Sequence, residues 1–260
     1  MNFKVIRNII IVICLVVIAY EVAMIGINKM EYKEAVDEYQ NLENIAVTYI
    51  PKEDTPEIID YPLLNVDFDK LSRINGDIVA WIYFPCLDIS YPVVKENEID
   101  QYLYLTFDKN ENKAGCIFED VLSDAKFCGF HDIVFGHNMK DGSMFGKLKK
   151  LYQNDGAALL EEDPYVYVYT RDYVYQYRVF AYAITGVGSD AYSVVNSTDE
   201  YRSFTDYIKT HTSYPVPDDI DLTQGNSILT LSTCSGAAGS NKRFVVHTIK
   251  VSAWEMNKWK

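Results

Sequence analysis

The chain has 260 residues, 37 acidic against 24 basic side chains, and a formal net charge of −13. An acidic surface of that size argues against nucleic acid as a partner, because phosphate binding needs clustered Lys and Arg. Hydrophobic residues make up 48% and include 21 tyrosines, which is enough for one ordinary domain with a full core.

Residues 9–20 are uninterruptedly apolar, and residues 22–27 extend the run past Glu21. About 20 apolar residues cross a bilayer as a helix. Lys4 and Arg7 precede the run. The positive-inside rule therefore predicts a short cytoplasmic N-terminus over 1–8 and a signal-anchor over 9–27. The run is long for a cleaved signal, and no small-x-small site follows it. The remainder is then extracellular, in a single-pass protein of the cell membrane.

Residues 28–44 carry a helical period, with Met30, Val36, Tyr39 and Leu42 among polar neighbours. Residues 51–57 hold two prolines and several charges without an apolar period, and predict a linker. The stretch 28–66 is thus a helical stalk and linker, with the main domain over 67–260. A short helix is predicted at 67–73. From there the pattern is mainly β: strands at 78–84, 88–94, 115–119 and 132–137, a hairpin of 165–169 with 173–180, and two final strands around Cys234 and Arg243. Pro92 marks an edge or a bulge. A helix is predicted at 200–210, with Tyr201, Phe204, Tyr207 and Ile208 on one face. Many short strands with few helices point to a closed barrel or a sandwich.

The apolar run 227–233 ends on Cys234, and a small-residue loop leads to Arg243. If the two runs are neighbouring strands, the thiol lies near the guanidinium. A fixed positive charge favours a thiolate, and a guanidinium can donate to a developing oxyanion. A thiol nucleophile needs an acid/base partner, usually histidine. Of the four histidines, His137 is best placed, where a strand opens into the polar loop 136–143. His131, His211 and His247 read as structural or solvated, and Glu119, Asp120 and Asp141 as solvated surface. Cys86, Cys116 and Cys128 read as small buried apolar residues, although two of them could pair outside the cell. A zinc site from Cys116, Cys128 and His131 lacks paired CxxC spacing. No motif implies a cofactor or a metal.

The segments Thr-Leu-Ser-Thr-Cys at 230–234, Arg243 followed by Phe-Val-Val, and Phe-Gly-His-Asn-Met-Lys-Asp-Gly-Ser-Met-Phe at 135–145 together resemble the sortases, most closely class B. Trp81-Ile82, Tyr91-Pro92-Val93-Val94, Tyr102-Leu103 and Gly115-Cys116-Ile117-Phe118 are also similar to that family's pattern. The resemblance covers about 70–252.

It implies an eight-stranded closed β-barrel with added N-terminal helices and a helix before the Cys-bearing strand, carried on an N-terminal transmembrane helix. It also implies a cysteine transpeptidase of Gram-positive cell surfaces. Such an enzyme cuts a C-terminal sorting motif of secreted proteins after threonine through a thioacyl-enzyme. It then passes the acyl group to an amine, usually of a cell-wall precursor. The resemblance assigns Cys234 as nucleophile, His137 as acid/base and Arg243 to the oxyanion and substrate. Ser232, Leu103 and Tyr192 are expected along the substrate pocket. Two positions depart from the pattern: Pro85-Cys86-Leu87 replaces a Pro-Gly-Thr-like turn, and Ser235 stands where an acidic residue often follows the cysteine. His247 in the final strand is also unusual. Two alternatives keep the same residues: a cysteine endopeptidase with water as acceptor, and a non-catalytic anchored peptide-binding protein.

Overall fold

The computed structural model describes residues 3–51, 61, 64–153, 156–236 and 239–256. It opens on a single helix, α1 (Phe3–Ala46). The sequence predicts an anchor and a separate helix meeting near residue 28; in the structure they are continuous. No proline intervenes, and an isolated Gly26 costs only about 1 kcal/mol in a helix. The apolar half has a mean hydropathy of 2.8 over 18 residues and no buried share, so it is long and apolar enough to cross a membrane.

The other half of α1 buries Ala35, Tyr39, Leu42 and Ala46, one stripe at helical spacing. That stripe is fastened to the segment 102–116. Tyr39 donates to the Gly115 carbonyl at 2.6 Å, the Asp108 amide donates to Glu38 at 3.0 Å, and Asn112 donates to the Glu31 carbonyl at 2.9 Å.

Strands β1 (Val47–Tyr49) and β2 (Leu64–Val66) form a small antiparallel sheet that three-residue runs do not announce. Of the linker expected at 51–57, residues 52–57 lie outside the described residues. Helix α2 (Phe68–Ile74) is capped by Asp67, which accepts from the Lys70 amide at 2.9 Å.

Eight strands then close a barrel: β3 (Ile78–Phe84), β4 (Ile89–Lys95), β5 (Ile117–Glu119), β6 (His131–Phe135), β7 (Tyr165–Tyr169), β8 (Tyr173–Gly186), β9 (Ile228–Cys234) and β10 (Lys242–Glu255). Around the barrel they run β10-β8-β7-β3-β4-β5-β6-β9, and the β9–β10 pairing closes the ring. That closure removes the sandwich alternative. Pro92 pairs with Trp81 on β3, and β5 joins β4 only from Val93 onward. The missing amide thus falls just before the second ladder begins, and the bulge is opposite, on β3 between Ile78 and Ala80. Helix α3 (Gly156–Glu162), between β6 and β7, is absent from the sequence expectation.

Helix α4 (Thr198–His211) lies before the Cys-bearing strand, as expected. It starts two residues earlier than its apolar pattern because Ser197 accepts from the Glu200 amide while Glu200 accepts from the Asn196 amide at 2.7 Å. Its Tyr201, Phe204, Thr205 and Ile208 are buried. Strand β9 is therefore covered on both faces. Leu229 and Leu231 belong to the barrel interior with Phe244 and Val246. Ile228 packs outward with Phe180, Phe204 and Ile208 beneath α4. By the two-residue period of a strand, Thr230, Ser232 and Cys234 continue that outer row, and Cys234 emerges exposed at its end.

Two sequence expectations need correction. Glu119 is fully buried, not solvated, because β5 lies between β4 and β6 and the side chain turns inward beside Lys95, 3.7 Å away. Cys128 is exposed, whereas Cys116 is buried under Tyr39. All five cysteines are free thiols.

Candidate active site

Three neighbouring strands bring three side chains to one end of the barrel. β6 and β9 run parallel with Phe135 level with Ser232, and the Gly136 amide donates to the Ser232 carbonyl at 3.1 Å. His137, two residues past Phe135, therefore leaves β6 at the level where Cys234 ends β9. On the other side of β9, Arg243 is the register partner of Cys234. A groove of about 460 Å³ runs from this point along β6 and the outer row of β9. Cys234, His137, Arg243, Ser232, Leu103 and Tyr192 all line it.

The His137 ring is half-buried. Its Nε2 donates to the Leu103 carbonyl at 2.6 Å, and Tyr104 lies over the ring at 5.8 Å between centroids. Burial holds the imidazole pKa below its ordinary value; the nearby Arg243 charge acts the same way, and the Leu103 carbonyl opposes them. With Nε2 held by the Leu103 carbonyl, Nδ1 is the ring nitrogen left for proton exchange.

Asn138 donates to the Cys234 carbonyl at 2.8 Å, tying the end of β9 to the His137 loop. The Arg243 guanidinium donates to the carbonyls of Lys242 at 3.1 Å and Ser240 at 3.3 Å. Tyr192 shares a hydrogen bond with Ser232 at 2.9 Å and stacks on Phe135. Burial raises its phenol pKa, against the pull of the Ser232 hydrogen bond and the Arg243 charge. The groove lips carry exposed apolar side chains, Ile99 and Leu122 on one side and Val187 and Val194 on the other. Glu96, Asp100 and Asp120 add carboxylates to the lining.

Sequence reasoning missed Asn138 and Tyr104. Both stand beside residues that were singled out, but their contacts depend on a parallel register and a loop path that no local pattern encodes. His131 and His247 are buried and His211 is exposed on α4. Cys116 bonds to Tyr39 and Cys128 to Tyr175, so the thiols considered for zinc have separate surroundings.

A sortase-domain family model matches residues 82–251. The chain is 30% identical to sortase B of Listeria monocytogenes over 165 residues, spanning 63% of this chain and 65% of that protein. It is also 30% identical to sortase B of Staphylococcus aureus over 189 residues, spanning 71% of this chain and 75% of that protein. The crystal structure of sortase B from B. anthracis matches with a TM-score of 0.68 at 30% identity, covering 86% of this chain and 99% of that one.

Proposed function

The chain belongs to the sortase family, class B, and on that premise we propose that it is a membrane-anchored cysteine transpeptidase that cleaves a sorting motif after threonine and transfers the acyl group to a cell-wall amine. The observation that carries this reading is the convergence of Cys234, His137 and Arg243 from the ends of β9, β6 and β10 on one groove.

On this reading Cys234, His137 and Arg243 divide the chemistry between them. Cys234 gives its proton to Nδ1 of His137, since Nε2 is committed to the Leu103 carbonyl. The thiolate sulfur attacks the threonine carbonyl carbon, and the developing oxyanion is met by the Arg243 guanidinium. Collapse breaks the peptide bond as His137 protonates the departing amine. An incoming amine then attacks the thioester, His137 takes its proton, and the Cys234 sulfur leaves. Arg243 favours the anionic species and disfavours a resting imidazolium.

At about 460 Å³ the groove falls in the size range of ligand-binding clefts. Its apolar lips fit aliphatic side chains, and Asp100 and Asp120 favour a basic residue over an acidic one. The exposed apolar half of α1 would hold the enzyme in the membrane, with Lys4 and Arg7 inside and the barrel outside.

Intact-mass measurement of the external part, from about residue 28, mixed with threonine-containing sorting peptides tests the reading. A thioacyl adduct on Cys234 is expected. An adduct of equal yield in Cys234→Ala would overturn it.

A further inference from the structure

Under α4 lies a buried polar chain that the proposed chemistry does not use. His131 opens β6, Thr230 belongs to the outer row of β9, and His247 faces Thr230 across the β9–β10 ladder. All three are at most 8% exposed. His131 Nε2 lies 2.8 Å from Thr230 Oγ1, which lies 2.8 Å from His247 Nδ1. The other nitrogen of His131, Nδ1, lies 2.8 Å from the carbonyl oxygen of Ser193. The Phe204 ring of α4 covers both imidazoles, at 4.2 Å from His131 and 6.1 Å from His247.

One proton arrangement satisfies every link. The Ser193 carbonyl only accepts, so His131 Nδ1 carries hydrogen and Nε2 is bare. Thr230 then donates to Nε2, and its oxygen accepts from His247 Nδ1–H. Burial keeps both rings neutral, pushing His131 down to about 4 and His247 down to about 3. Burying such groups is costly unless their hydrogen bonds are made, and their neighbours Ile228, Phe180 and Ile249 are apolar.

The far end of the chain falls on a loop. Ser193 belongs to the segment between β8 and α4 whose Val187, Tyr192, Ser193 and Val194 form one wall of the groove. Most of its own backbone bonds are local turns, Tyr192 to Ser189 and Ser193 to Asp190. Two side-chain ties hold it to β9: Tyr192 to Ser232, and Ser193 through His131 to Thr230. Both anchor points share the outer row that ends in Cys234.

We propose that His131, Thr230 and His247 form a buried positioning relay that fixes the Tyr192 wall of the groove relative to Cys234 and so sets the enzyme's grip on its peptide. The proposal rests on the transpeptidase reading for its kinetic consequence but not for its structural one. Thr230→Val keeps the side-chain shape and deletes the hydroxyl. His131→Phe keeps a ring against Phe204 and deletes both bonds. Thr230→Ser restores the hydroxyl.

The experiment compares these variants with the wild-type protein by backbone hydrogen exchange and by peptide kinetics. The expected result is faster exchange over residues 187–194 in Thr230→Val and His131→Phe. With it comes a KM rise of about three- to tenfold, the scale of one or two lost hydrogen bonds, with kcat within about twofold and Thr230→Ser close to wild type. If Thr230→Val does not fold, His131→Phe decides alone. Unchanged exchange over 187–194 would overturn the relay, as would a fall in kcat with KM constant. A wild-type protein that turns over no peptide would refute the transpeptidase reading, and exchange would still decide the relay.

Discussion

His137 Nε2 lies 2.6 Å from the carbonyl oxygen of Leu103. A carbonyl can only accept, so this contact fixes the tautomer and the ring plane together. Leu103 lies in a segment that α1 holds through Glu31, Glu38 and Tyr39. The helix that carries the apolar run is thus linked to the candidate acid/base through hydrogen bonds between side chains and backbone.

Gly115 supports that contact from behind. Its φ is +56°, and an added Cβ would lie 2.5 Å from the Leu103 oxygen and 2.8 Å from that of Tyr102. Gly115→Ala should push the Leu103 carbonyl and turn His137. A misplacement near 1 Å can cost about a hundredfold in rate. The expected outcome is a fall of about ten- to a hundredfold in kcat/KM, with Cys234 still open to alkylation. Unchanged kinetics in a folded variant would show that the Leu103 carbonyl does not set the ring.

The two halves of α1 should separate under truncation. Removing residues 1–27 takes away the exposed apolar stretch and leaves Glu31, Ala35, Tyr39 and Leu42 in place. That protein should be soluble and fully active. Removing residues 1–46 strips the buried stripe and should lower both thermal stability and activity. Equal activity in the two truncations would dissociate α1 from the site.

Glu119 predicts a pH dependence of stability. Burial raises its carboxyl pKa to about 8 from 4.5, against the pull of Lys95. A raised folded pKa contributes stability that is complete below about 4.5 and lost as pH rises through about 8. Asp132, raised by burial to about 6, acts in the same direction over a lower range. Glu119→Gln cannot ionise. Its Tm should exceed that of the wild type by a margin that grows between pH 5 and 8.5, reaching at least about 4 °C. A constant margin would mean that Glu119 does not titrate in that window.

The carboxylates of the groove should be visible in substrate choice. Among otherwise identical sorting peptides, one with lysine should be used better than one with glutamate. Asp100→Asn with Asp120→Asn should narrow the ratio by about two- to fivefold, the scale of partly solvated ion pairs. A ratio indifferent to both substitutions would remove these residues from peptide recognition.

Much of this was legible in the sequence because it is local. Alternating apolar runs marked most barrel strands, and the segments around His137, Cys234 and Arg243 carried the family resemblance. What was not legible depends on long-range pairing. The Leu103 carbonyl contact spans 34 residues and the Asn138–Cys234 tie spans 96. Glu119 looked solvated because a charged residue ending a short strand usually is; the neighbours that bury it come from β4 and β6. His247 stood out only as unusual, because its partner Thr230 is set by the β9–β10 register.

The most direct test of the central claim is product analysis by mass spectrometry of the protein from residue 28 onward with a threonine-containing sorting peptide, with and without an added amine such as diglycine or a diaminopimelate-bearing peptide. Cleavage after threonine, with the acyl fragment joined to the amine and no product from Cys234→Ala, is the predicted result. A free acid as the sole product at saturating amine, or cleavage that survives Cys234→Ala, would contradict a Cys234 transpeptidase.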